Sequence, residues 1–102
     1  MAVSKIPICS DGSFITSEYI SDLNVVNRQF PQVKVYLTYG DTLHTPYKAG
    51  LTVATMGLCL SMSTSDGYMT QIWLPYADAQ MFMRYGTPGS YFSEWKKFAF
   101  TS

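Results

Sequence analysis

Residues 68–98 constrain the fold more than any other stretch of the chain. They fall into three runs of strand length, Tyr68-Met-Thr-Gln-Ile-Trp-Leu-Pro75, Gln80-Met-Phe-Met-Arg-Tyr85 and Tyr91-Phe-Ser-Glu-Trp-Lys-Lys-Phe98. Each is rich in aromatic residues, which suit a pleated and half-buried surface. Turn-forming segments separate them, Tyr76-Ala-Asp-Ala79 in one gap and Gly86-Thr-Pro-Gly-Ser90 in the other. A parallel pair needs a crossover of about a dozen residues, so connections this short predict an antiparallel meander. Whatever precedes residue 68 has to cover that meander.

Two earlier segments alternate in the same way. Val33, Val35, Leu37 and Tyr39 point to one side of a strand, and Lys34, Tyr36 and Thr38 to the other. Over Gly57–Ser63 the alternation places Leu58, Leu60 and Met62 inward. Asp66-Gly67 then stands between two alternating runs, a strong local signal for a hairpin joining 57–63 to 68–75. Gly40-Asp41 ends the strand at 33–39, and residues 43–50, with Pro46 and Gly50, read as loop. From Ser17 to Arg28, Tyr19, Ile20, Leu23 and Val26 share one helical face and make a short helix the candidate there. In the closing run Phe92, Phe98 and Phe100 share one strand face, Tyr91 and Trp95 the other.

The chain has 102 residues, the size of one domain around one core. Seven basic and seven acidic residues balance, which gives no electrostatic ground for nucleic acid or an anionic membrane as partner. No segment approaches a membrane span or a signal peptide, and a protein made in soluble form, or assembled inside the cell that makes it, is expected. Cys9 and Cys59 form no metal-like cluster and no disulfide framework, so both are expected as free thiols and no cofactor is expected.

Catalytic chemistry is sparse. His44 is the sole histidine, and the carboxylates Asp11, Asp22, Asp41, Asp66 and Asp78 sit mainly in turns. There is no phosphate-binding glycine loop and no nucleophile motif. The aromatic strands are more informative, because apolar groups stand on both of their faces. One face can meet the domain core, while the other packs on a neighbouring chain or offers flat rings to a sugar, with Gln71 and Arg84 supplying hydrogen bonds. Surplus apolar surface of this kind predicts a homo-oligomer. Trp95 is assigned to packing.

In the order and type of four signatures, residues 22–98 resemble the knob modules of phage tail fibres and R-type pyocin tail fibres. Asp22-Leu23-Asn24 looks like the opening of such a module, and Thr45-Pro46-Tyr47 like its Asn-Pro-Tyr or Thr-Pro-Tyr. Thr70-Gln71-Ile72 matches the end of a strand in it. Met81-Phe82-Met83-Arg84, followed by Phe92-Ser93-Glu94-Trp95-Lys96, matches its close. Phe92 stands where the family's closing pair has its first Trp, and Gln32-Val33-Lys34 where Gly-Tyr is usual.

The resemblance implies an all-β fold, a small antiparallel β-sandwich-like knob over 21–102 behind an N-terminal arm over 1–20. It also implies a homotrimer in a virion, assembled in the host cytoplasm, with structural and cell-surface-binding roles and no enzymatic activity. Ile6, Ile8, Phe14 and Ile15 in the arm are the candidate anchor to other virion proteins, capsid or fibre. Tyr47, Gln71, Trp73, Arg84 and Tyr91 are the candidate ligand or interface residues. With its own Met1 and no shaft, the chain reads as a head fibre or decoration protein; as part of a longer chain it reads as a tail-fibre tip. A stand-alone carbohydrate-binding module is the alternative, and a glycan hydrolase a weaker one.

Overall fold

The hairpin at residues 64–67 fixes the register of the sheet. In the computed structural model, which describes residues 17–25, 32–89 and 91–98, Thr64 N–H donates to Tyr68 O at 2.9 Å and Gly67 N–H to Thr64 O at 3.2 Å. Gly67 has φ +99°, a left-handed conformation that side chains resist, and it closes the turn as a one-residue bulge. Thr64 also donates its hydroxyl to the Asp66 carboxylate. Strand β3 (Gly57–Ser63) and strand β4 (Met69–Pro75) therefore pair along their whole length, with Ser63 opposite Met69 and Gly57 opposite Pro75.

Antiparallel neighbours extend this pair on both sides, β2 (Gln32–Thr38) beside β3 and β5 (Phe82–Thr87) beside β4. Strand β1 (Ser17–Tyr19) runs parallel to the outer edge of β2, joined to it by the Lys34–Glu18 ion pair at 2.9 Å. The outer edge of β5 carries both β6 (Tyr91–Phe92) and β7 (Lys96–Lys97). Among the described residues the result is one seven-stranded sheet in an all-β domain, as the sequence leads one to expect. The meander of the last third is found, and β2 and β3 continue it.

A second layer covers one face of the sheet, and it is built from loops. Thr42 Oγ1 donates to Ile20 O at 2.8 Å, Leu43 N–H to Ser21 O at 2.9 Å, and Leu23 N–H to Leu43 O at 3.1 Å. These bonds tie residues 39–45 to residues 20–23. Among the described residues no helix is long and apolar enough to cross a membrane.

Three expectations about local structure need correction. The candidate helix at 17–28 is β1 followed by a single 3-10 turn at Leu23–Val25, so Tyr19 and Leu23 share no helical face. Ser21-Asp22 folds back beside Leu43 there, and backbone pairing with another segment outweighs weak helix propensity. Among the described residues, Ser17–Tyr19, inside the segment read as the arm, is a strand of the sheet. Ile6, Ile8, Phe14, Ile15, Cys9 and Val26 lie outside the described residues. The closing run is not one strand. Ser93 N–H donates to Tyr85 O at 2.8 Å and Ser93 Oγ accepts from Tyr85 N–H at 3.0 Å, which interrupts the pairing and turns Trp95 inward. The face shared by Tyr91 and Trp95 is thereby lost; Tyr91 is exposed and Trp95 is 8% exposed. Phe100 is outside the described residues.

The facing of β3 is the reverse of the expected one. Gly57, Cys59, Ser61 and Ser63 are buried, whereas Leu58, Leu60 and Met62 are only partly covered. The same parity holds across the sheet, with Tyr36, Thr38, Gln71, Trp73, Phe82 and Arg84 under the loops. The cause is the nature of the cover. Loop backbone brings N–H and C=O groups that need partners, and side chains with polar tips meet that need where leucine cannot. Gly57 has a steric role, because a Cβ there would stand 2.6 Å from Leu74 O and 2.8 Å from the Trp73 ring.

Candidate functional site

The covered layer converges on Arg84. Its position in β5 puts it under the loops, opposite Gln71 of β4, which is opposite Ser61 of β3. Arg84 Nε donates to Gln71 Oε1 at 2.7 Å, and Gln71 Nε2 to Ser61 Oγ at 3.0 Å. Arg84 Nη2 and Gln71 Nε2 both donate to the carbonyl of Leu23, at 3.2 and 3.3 Å. The guanidinium carbon also lies over two rings, 4.0 Å from the Phe92 centroid and 4.8 Å from that of Trp95. A planar, weakly hydrated cation suits such a stack, and an ammonium does not.

Trp95 carries the network to the surface. Its Nε1 donates to His44 O at 2.8 Å, and His44 Nδ1 lies 2.7 Å from Asp22 Oδ1. His44 has φ +65°, an uncommon conformation for a non-glycine residue, and the contact on each side of it holds that geometry. Burial alone raises the Asp22 pKa. The Asn24 N–H, at 2.8 Å, and the His44 ring outweigh it, with Arg84 adding to them, so the carboxyl is held below its ordinary 3.8. A groove of about 320 Å³ opens between the 43–49 loop and the sheet, lined by Leu43, His44, Lys48, Arg84 and Trp95. Its lining is largely apolar, and Arg84 Nε and Nη2, Trp95 Nε1 and His44 Nδ1 are engaged within the protein, while Lys48 is exposed.

A second buried cluster sits beside the first. Trp73, fully buried, donates from Nε1 to Thr38 Oγ1 at 2.9 Å, and Thr38 Oγ1 donates to Gly57 O at 3.0 Å. The Phe82 ring lies 5.8 Å away at 58°, a tilted contact. Cys59, in the same row, has its thiol pushed up to about 12 by burial, against 9.0 ordinarily, with Ser61 Oγ 3.9 Å away. The thiolate fraction at neutral pH falls about a thousandfold on such a shift. Cys59 is therefore expected to stay silent to a thiol reagent in the folded protein and to react once the chain is unfolded. Prompt labelling without denaturant, mapped to Cys59 by peptide mass, would contradict this placement.

The candidate residues divide between these clusters and the surface. Gln71 and Trp73 are wholly buried and Arg84 nearly so, which keeps Gln71 and Trp73 from direct contact with a surface ligand. Trp95 is buried against Arg84. Tyr47 is half-buried with Lys48 Nζ 5.9 Å from its ring centroid. Tyr91 is exposed, tilted against Tyr85 with centroids 6.3 Å apart. The sequence reading missed the carbonyls of Leu23 and His44 as acceptors, since backbone groups carry no residue signal. His44, read from the sequence as a structural or solvated loop residue, anchors neighbours through both its ring and its carbonyl.

No family model matches the chain, and no curated protein or solved structure matches it either.

Proposed function

We propose that this chain is a non-enzymatic structural module of a phage virion appendage, a head fibre, decoration protein or tail-fibre knob. It assembles as a homotrimer with other virion proteins and binds host surface glycans. One observation supports the reading above the rest. The four signatures that carry the resemblance, far apart in sequence, meet in one hydrogen-bonded and stacked cluster. Leu23 supplies the shared acceptor, Gln71 and Arg84 the donors, Phe92 and Trp95 the rings, and Thr45 lines the groove above them. Signatures that converge in this way mark the frame of a module and leave its rim for recognition.

Purified virions from the source of this chain are expected to contain it, with antibodies to the folded domain labelling a discrete appendage. Its absence from particles that are otherwise complete overturns the reading.

The exposed pair Tyr85 and Tyr91 favours a second reading, a stand-alone carbohydrate-binding module. Flat, accessible phenol rings are suited to stacking on sugar faces. Glycan binding by the isolated chain that is lost in Tyr91→Ala, together with absence from virions, decides for it.

A further inference from the structure

The face of the sheet turned away from the loops is the more apolar of the two. Leu37, Leu58 and Leu74 form one row across the strands, and Val35, Leu60, Ile72 and Met83 the next. Val33, Met62, Thr70 and Tyr85 complete it. Within β2, β3, β4 and β5 no charged residue stands on this face, since Lys34 and Arg84 point to the loop side, and at its edge Lys96 of β7 pairs with Met83. Val33 is 50% exposed, Met83 39% and Leu74 37%. A row-on-row aliphatic sheet face open to this degree is what β-sandwiches bury between two sheets.

We infer that this face is the surface on which copies of the chain associate, sheet against sheet. Three strands of seven residues and one of six, four abreast, span roughly 24 by 19 Å, or about 450 Å² at most. Two such faces together remove about 900 Å² of surface, the size of a weak and reversible interface. The charge beside this face is confined to its β7 edge, and over the rest identical rows of apolar side chains interdigitate with one another at about 10 Å sheet spacing. A second copy is the partner that matches it in size, shape and polarity. The inference names the surface for the oligomer of the proposed function, but it does not depend on the virion.

Analytical ultracentrifugation of the full chain at micromolar concentration tests it, comparing wild type with Leu60→Glu and with Ile72→Thr, the latter keeping a β-branched residue in the strand. Val53→Glu, on an exposed loop residue away from the sheet, serves as control. The wild type is expected to be oligomeric, and Leu60→Glu to weaken self-association by about a hundredfold or more, as for a charge placed in an interface centre. Ile72→Thr is expected to weaken it less, and Val53→Glu not at all, with far-ultraviolet circular dichroism unchanged in all three. A monomeric wild type overturns the inference, as does an oligomer that persists in a folded Leu60→Glu or Ile72→Thr variant. A wild-type dimer broken by these variants upholds the face and removes only the trimer from the proposed function.

Discussion

Trp73→Ala is expected to cost about 3–5 kcal/mol, the range for deleting a large buried aromatic side chain. For a domain whose total stability is about 5–15 kcal/mol, that is enough to leave much of the population unfolded at physiological temperature. The magnitude follows from three losses at one position. The indole is fully buried and in tilted contact with Phe82, and the face of Gly57 is shaped to its ring. No neighbouring side chain can collapse into the gap from Gly57, which has none. The Thr38 hydroxyl also loses the donor it accepts from at 2.9 Å. Trp73→Phe, which restores most of the ring and not the donor, is expected to recover all but about 1–2 kcal/mol. Urea denaturation followed by circular dichroism measures both. A Trp73→Ala cost below 1.5 kcal/mol, with an unchanged m-value, would show that the loop layer closes over the gap.

Arg84→Lys is expected to destabilise by about 2–4 kcal/mol, although it conserves the charge. An arginine presents flat faces to Phe92 and Trp95 while its edge reaches both Leu23 O and Gln71 Oε1. The ammonium of lysine is a strongly hydrated point charge on a shorter stem, so it cannot stack and cannot span both acceptors. It would leave a desolvated cation with fewer partners, and hydrogen bonds to charged groups contribute about 1.5–3 kcal/mol each. Arg84→Met probes the same site without the charge. If the planar fork is what matters, Arg84→Met should be no worse than Arg84→Lys. A lysine variant within 0.5 kcal/mol of wild type would instead assign the role of Arg84 to charge alone.

The strands were legible because their signals are local. Alternation marked 57–63 to the residue, and Asp66-Gly67 marked the hairpin that joins it to β4. What remained hidden was which face the chain covers for itself. Leu58, Leu60 and Met62 look like core residues to any hydrophobicity argument, and the neighbours they lack are a matter of topology. The polar residues Thr38, Ser61 and Gln71 look like surface residues until the loop carbonyls above them are known. At the site, Arg84 and Trp95 were visible as residues to single out. Their meeting was not, because it depends on the Ser93 interruption, which resets the strand's alternation. The short helix failed for a related reason. Its period was real but weak, and residues 20–23 found backbone partners twenty positions away.

The two tryptophans of this chain, Trp73 and Trp95, both lie in the covered layer, each with its indole N–H bonded to an oxygen. None lies on the aliphatic face. Indole emission therefore reports on the covered layer of the chain and is expected to be blind to the proposed contact across the aliphatic face. On the association proposed above, separation of copies across the aliphatic face is expected to leave the emission maximum where it is, while opening of the loop layer moves it to the red as water reaches the rings. Dissociation and unfolding would then be two optically distinct events.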